Sequence, residues 1–479
     1  MDDRPAQVGG TEEPSRSRIT EIFAPRYLGA TLMLGGGVAL HAIEVYISIT
    51  VLPSVVRDVG GLDLFAWATT LFVAFSLLGS VFITARPRGL SLRQAYVIGA
   101  LFFGAGSLAA ALAPSMPLLI AGRGVQGFGA GIIVALGYAF VRHAYPERLW
   151  NMAGTLYAAV WGAATFIGPS LGGLFASGSL WRFAFALPLP FTLLMAVAAP
   201  RLLPQAPDDR GEIRVALPQI LLMVAAVVLL SLAGSSEDAA RRALWFGLAL
   251  AAAIGVVAAE RLLPIRLFPE GATRLSTPLG LIYAFMMLVL LVLSADVYIP
   301  YFLQELHGVP PLFSGYLVAL VALGWTGGAF LTTHYTGRRA LASILIGAVI
   351  QTLGTASLTV SMARADPGGD LLLLTAVSLG IFFMGAGVGL GWSHLVALVI
   401  RLAREDEKDR ASAAITMMQS LGSGFGAALA GVIVNSTGLL DPGGMEGNRS
   451  AAFWLFLLFG LPAACAVLAG MALSRRLAA

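Results

Sequence analysis

Fourteen apolar runs, each close to the length of a bilayer crossing, follow one another through the 479 residues with only short polar breaks between them. A hydrocarbon core about 30 Å thick takes about 20 apolar residues in helical form. The runs lie at 29–52, 65–84, 95–113, 118–141, 152–175, 182–200, 215–233, 243–260, 277–302, 313–333, 341–361, 371–400, 412–436 and 451–473. Lipid offers the backbone no hydrogen-bond partners, so each run is expected to be a helix and the chain an all-α membrane protein. Composition agrees, with 58% hydrophobic and 12% charged residues against about 25% charged in soluble domains.

Positive charge assigns sides to these runs, because cytoplasmic loops retain Lys and Arg. With the N-terminus inside, 23 of the 30 Lys and Arg fall in inner segments and 6 on the outer side, counting Arg182 at the outer edge of its run, which leaves Arg123 within a run. Both termini are then cytoplasmic, and the expected location is the cell's inner (cytoplasmic) membrane. Residues 1–28 form a polar tail without the short apolar core and small-residue cleavage site of a signal peptide. Residues 474–479 form a second tail. A net charge of +4 would hint at nucleic acid in a soluble protein, but here the arginines punctuate apolar segments. No nucleic-acid partner is expected.

The loops leave no room for a domain outside the membrane. The longest inner connections, 201–214 and 261–276, bracket the runs 215–233 and 243–260, which are almost pure Ala, Leu and Val and read as peripheral. Setting them aside leaves a six-helix bundle at 29–200, two linker helices within 201–276, and a second six-helix bundle at 277–473. Two such halves related by an axis along the membrane normal are a transporter layout.

Chemistry-bearing residues are few. Cys465 is the single cysteine, so no disulfide framework is possible. No His/Cys spacing suggests a metal, no nucleotide loop or nucleophile with its base suggests an enzyme, and no cofactor is expected. Glu44, in HAIEVYISITVLP, is the exception within the first run. An acid near the bilayer centre costs roughly 2.5–3.5 kcal/mol on insertion scales, and such residues face bundle interiors or wet cavities and handle ions or protons. Asp296, in the ninth run, is a second acid, open to a transport role or to an interfacial one beside Tyr298 and Tyr301. Arg123 and Gln126 share a helix face in LLIAGRGVQGFGAGII. Either they form a polar patch at a cavity or Arg123 snorkels to the interface.

Gly168, Pro169, Gly172 and Gly173 combine a helix kink with a flat packing face, or form an ordinary glycine seam. His41 and His394 are open to a proton relay or to plain packing. Tyr46, Trp161 and His394 are candidate pocket residues for flat lipophilic molecules, beside Phe166, Tyr298 and Trp392.

On these residues the chain resembles the major facilitator superfamily, and the fourteen-helix count points to its drug:proton antiporter branch. Arg123, Gln126 and Gly127 resemble the family's fourth-helix RxxQG motif, and Gly168-Pro169 with Gly172-Gly173 its fifth-helix antiporter motif. Glu44 stands nine residues before Pro53, the spacing of Asp to Pro in the family's first-helix LDxTIVNVALP. Trp181-Arg182-Phe183 is similar to a WRW/WRF signature, and MMQSLGSGFGAALAG at 417–431 to the thirteenth helix. One departure stands out. Where the family carries a GxLaDrxGRR loop, this chain reads TARPRGLSLRQAYVIG, keeping Arg86, Arg88 and Arg93 but no acid. HYTGRR at 334–339 resembles a degenerate second copy.

The resemblance implies a monomeric transporter in which two bundles rock about a central cavity. Glu44, Asp296 and Arg123 are expected to couple protons, while Tyr46, Gln126, Trp161 and His394 meet a lipophilic small-molecule substrate. Gly127, Gly168, Pro169, Gly172, Gly173 and Pro53 are expected to serve the conformational change. Efflux of lipophilic or cationic compounds leads, with export of a lipid, siderophore or secondary metabolite, or a non-transporting scaffold or receptor, as alternatives.

Overall fold

The computed structural model describes residues 19–87, 89–176, 180–205, 215–366, 368 and 370–478. Most of the tail 1–28, Arg88 and part of the connection 201–214 lie outside the described residues. The helices are α1 (Pro25–Val59), α2 (Trp67–Ala85), α3 (Leu92–Ala111), α4 (Met116–Ala144), α5 (Trp150–Phe175), α6 (Trp181–Ala186), α7 (Pro188–Leu202), α8 (Leu217–Gly234) and α9 (Ala239–Leu262), then α10 (Pro278–Leu293), α11 (Ile299–His307), α12 (Pro311–Thr332), α13 (Gly337–Ser361), α14 (Leu371–Leu402), α15 (Lys408–Ser436) and α16 (Gly444–Ala478). Among the described residues, fourteen spans are long and apolar enough to cross a membrane, with α6 and α7 making one span and α10 and α11 another. The near end of the molecule is where α1 begins, and the far end is where it finishes.

Local sequence explains several helix starts. Ser91 and Gln94 form a reciprocal capping box that opens α3. Asp238 caps α9 through the Arg241 N–H, and Thr277 caps α10 through the Gly280 N–H.

Three boundaries depart from the expected runs. α1 does not stop before Pro53 but continues through it to Val59. A proline inside a helix costs about 3 kcal/mol. Val51, Leu52 and Val55 around it are all fully packed away, at about 1.5–3 kcal/mol per buried side chain, and packing outweighs the lost bond. The ninth run is interrupted by a tighter 3-10 stretch at Ser294–Tyr298. Pro300, at the start of α11, has no N–H for the carbonyl of residue 296 and crowds it. The sixth run breaks at Leu187, just before Pro188 and Pro190.

The two helices expected to be alike and peripheral also differ. α9 packs chiefly on α8, whereas α8 lies against both α2 and α15 and so touches both sets of six helices. Met223 and Val227 of α8 are buried there, facing Val73, Leu77 and Gly424.

The first and last sets of six repeat one packing scheme. α2 and α3 flank α4 as α12 and α13 flank α14, α1 packs on α5 as α10 does on α15, and α3 meets α7 as α13 meets α16. Glycines fix the register. A Cβ built on Gly127 would lie 2.1 Å from the Phe72 carbonyl oxygen and one on Gly131 1.9 Å from that of Ser76. In the second set, Gly385 and Gly389 stand likewise 1.9 Å from the carbonyl oxygen of Val321 and 2.0 Å from that of Trp325. Close backbone approach of this kind is what small residues provide in lipid. The equivalence extends to Gly79 against Phe128 and Gly328 against Ala386, and to Gly106 against Gln126 and Gly354 against Met384.

Contacts between the two sets gather toward the far end. Arg57 bonds Glu305 at 3.1 Å and Gln304 at 3.0 Å, while Phe65 stacks on Tyr298 with ring centroids 4.9 Å apart. The Ser170 and Tyr316 hydroxyls are bonded, and a Cβ on Gly173 would lie 2.4 Å from Leu312 Cα. The Asn435 amide of α15 donates to the carbonyls of Asp63 at 2.8 Å and Gly234 at 3.0 Å. Among the described residues, no hydrogen bond or ion pair joins the two sets at the near end.

Candidate functional site

α1 carries Glu44 into the interior of the first six helices, where it meets Arg123 of α4. Arg123 Nη1 donates to Glu44 Oε1 at 2.7 Å, and both side chains are almost wholly inaccessible, 3% and 0% exposed. The same nitrogen donates to the side-chain amide oxygen Oε1 of Gln126, and Gln126 Nε2 donates to the Ser107 hydroxyl at 2.8 Å. Arg123 Nε points toward the Ala68 carbonyl at 3.4 Å. This polar chain thus runs from α1 through α4 to α3 and touches α2. The snorkelling alternative for Arg123 is overturned: its guanidinium turns inward because the interior holds a carboxylate, an amide and a main-chain carbonyl to receive it.

Aromatic rings close the site. The guanidinium carbon lies 4.2 Å from the Phe72 ring centroid and 5.9 Å from that of Phe185, an arrangement that attracts a cation electrostatically. His41, one turn before Glu44, stacks on Phe72 at 5.7 Å and meets the edge of Trp161 at 5.7 Å. Trp161 also meets Tyr46 edge-on at 6.4 Å and is 36% exposed. These rings form an aromatic cage linked to the ion pair through Phe72, with Trp161 as its partly open member. Two polar atoms in this region, Glu44 Oε2 and His41 Nδ1, have no hydrogen-bond partner among the described residues.

Asp296 stands in the 3-10 stretch between α10 and α11 and is half-buried. It interacts electrostatically with Tyr46, so it approaches the Glu44 region from the second set of helices without pairing with Arg123. The structure does not bring His394 to this cluster. That residue lies in the near-end part of α14, buried, and reaches the main chain of Thr332. Trp392 pairs with Trp325 at 5.3 Å in the same set.

The glycine-proline segment of α5 meets two partners. Gly168 and Gly172 lie against Tyr46 and Thr50 of α1, and Pro169 with Thr50 faces Gly315 of α12. Gly127 holds α4 on α2, one residue from Gln126. Arg86, in the loop that lacks an acid, is buried and donates to the carbonyls of Ile83 in the last turn of α2 at 2.8 Å and of Leu90 in the loop at 3.0 Å.

Ser107, Phe72 and Phe185 were not singled out from the sequence. One signal existed for Ser107: it lies beside Gly106, whose absent side chain lets α4 come close at Gln126.

Residues 34–381 match the Major Facilitator Superfamily. The chain is 34% identical over 479 residues to a probable multidrug-efflux transporter of Mycobacterium tuberculosis, covering 97% of this chain and 98% of that protein. It is 26% identical to a multidrug transporter protein of Bacillus subtilis, across 81% of this chain and 71% of that one. A bacterial homologue of the human lysosomal transporter Spinster superposes with a TM-score of 0.66 at 14% identity, over 94% of this chain and 97% of that chain. A D-xylose–proton symporter does so with 0.61 at 15% identity, over 93% and 97%. With its fourteen membrane-spanning helices in two six-helix bundles plus an inserted pair, the chain belongs to the major facilitator superfamily.

Proposed function

We propose that this protein exports lipophilic or cationic small molecules by alternating access, driven by protons that bind Glu44. The observation that carries the reading is the buried Glu44–Arg123 pair with its idle Oε2. Arginine keeps its charge in a protein, so the variable member of the pair is Glu44. When ionised, it is held by Arg123. When protonated, it releases the guanidinium to Gln126, the Ala68 carbonyl and the Phe72 face, altering how α1 is held against α4. His41 on α1 and Asp296 from the second set are the other titratable groups facing the cage.

The substrate class follows from the walls. Trp161 and Tyr46 offer flat apolar and cation-attracting faces beside His41, and Glu44 and Asp296 are the acids brought near them. The multidrug efflux named for the mycobacterial relative and the multidrug transport named for the Bacillus one agree with such a site. The lysine and arginine distribution favours the near end as cytoplasmic. On that orientation, the far-end contacts describe a molecule closed to the outside, the resting side of an exporter. A potential of 100 mV adds about 2.3 kcal/mol per charge moved, enough to bias the cycle.

The test uses proteoliposomes with an imposed pH gradient and a fluorescent lipophilic cation. Wild-type protein is expected to move the cation against the proton flow, and Glu44→Gln to lose that coupling while still binding it. Gradient-driven transport by Glu44→Gln at the wild-type rate would overturn the proposal.

A further inference from the structure

Away from the ion pair, the near end holds a built recess in the connection between α9 and α10. Its lining includes Arg261, Arg266 and Arg274, around a cavity of about 40 Å³, several times what one water molecule needs. The loop is fixed before any ligand arrives. Glu260 accepts the N–H groups of Leu267 at 2.8 Å and Phe268 at 3.1 Å, Gln219 of α8 donates to the Ile265 carbonyl at 2.6 Å, and Thr277 ties back to Gly271 and Arg274.

The same lining carries two acids, Glu260 and Glu270. Glu260 keeps its negative charge while accepting the two main-chain N–H groups, and Glu270 pairs outward with Arg404 at 3.3 Å. Arg261 is held by Thr273. The guanidinium groups of Arg266, which is half-buried, and of Arg274 have no hydrogen-bond or ion-pair partner among the described residues. With Glu270 paired to Arg404, three arginines face the single carboxylate of Glu260, and a preformed recess with that excess of positive charge calls for an anion. Leu262 and Leu275, next in the chain to the lining residues Arg261 and Arg274, are 82% and 64% exposed, an apolar surface suited to lipid rather than to water.

We infer that this recess binds the phosphate of an anionic phospholipid from the near-end leaflet, with Arg261, Arg266 and Arg274 around the headgroup and Leu262 and Leu275 against the acyl chains. Basic pockets at the membrane surface hold such headgroups. A free phosphate shares the chemistry but would leave the two leucines without a role. The inference does not depend on what the protein transports.

The test is native mass spectrometry of the full chain released from detergent after incubation with phosphatidylglycerol or phosphatidylethanolamine. Wild-type protein is expected to retain phosphatidylglycerol in preference, and the double variant Arg266→Gln, Arg274→Gln to bind it about tenfold more weakly. Arg266→Lys with Arg274→Lys, which keeps the charge, should restore most of the retention and controls for folding. Equal retention of the two lipids, or undiminished retention by the glutamine variant, would overturn the inference. Displacement of the lipid by excess inorganic phosphate would reassign the recess to a free anion.

Discussion

α4 and α14 occupy equivalent places in the two halves and are built on the same glycine spacing, Gly122, Gly127, Gly129 and Gly131 against Gly380, Gly385, Gly387 and Gly389. Between those glycines the halves part company. Where α4 has Arg123 and Gln126, α14 has Ile381 and Met384, and Ser107 of α3 is answered by Thr355 of α13. The first helices follow suit. Gly168 against Tyr46 matches Gly422 against Leu290, which sets Leu288 in the place of Glu44. The shared part is the close backbone crossing, and the unshared part is a charged centre, so the comparison separates what the fold requires from what the proposed chemistry requires.

The largest effect should come from leaving half of the charged centre behind. Arg123→Leu strands the Glu44 carboxylate in the interior and is expected to cost about 3–5 kcal/mol, read as a lower unfolding temperature in detergent. Ile381→Leu, at the matching place, should cost under about 1.5 kcal/mol. Comparable losses at both positions would break the distinction between the halves.

Next come the crossings themselves. Gly127→Ala and Gly385→Ala each push a methyl group into a carbonyl, and overpacking of this kind costs about 1–3 kcal/mol. The two values should agree within about 0.5 kcal/mol if both crossings are architecture. A much greater loss at Gly127 would tie that glycine to Gln126 instead.

Smaller still is Gln126→Met, which copies the second half into the first. It removes the bonds to Arg123 and Ser107, and membrane-buried hydrogen bonds average about 0.6 kcal/mol with a maximum near 1.7. Stability should therefore fall little, while gradient-driven transport in proteoliposomes should fall clearly. Unchanged transport would remove Gln126 from the proposed coupling site. The smallest effect is expected from Arg57→Gln, since the exposed pair with Glu305 contributes about 0–1 kcal/mol.

The sequence made some of this legible for physical reasons. A bilayer demands long apolar runs, and fourteen of them announce themselves without any knowledge of packing. Glu44, Arg123 and Gln126 were visible for the opposite reason, as polar groups where polarity is expensive. Ser107 was silent, because a hydroxyl in a helix can bond its own turn and so costs nothing that composition would reveal. Phe72 and Phe185 were hidden among 26 phenylalanines, and only the fold decides which rings face a guanidinium. The continuation of α1 through Pro53 depended on the burial of its neighbours, and the bridging place of α8 on surfaces supplied by α2 and α15. His394 shows the converse risk, since an isolated polar residue in an apolar run can settle against its own half.

The amide of Asn435 gives the inserted helices α8 and α9 a share in the timing of any opening at the far end. It grips one carbonyl from the turn before α2 and another from the last residue of α8. Parting the bundles there must either strip one of those oxygens of its donor or draw α8 sideways through lipid.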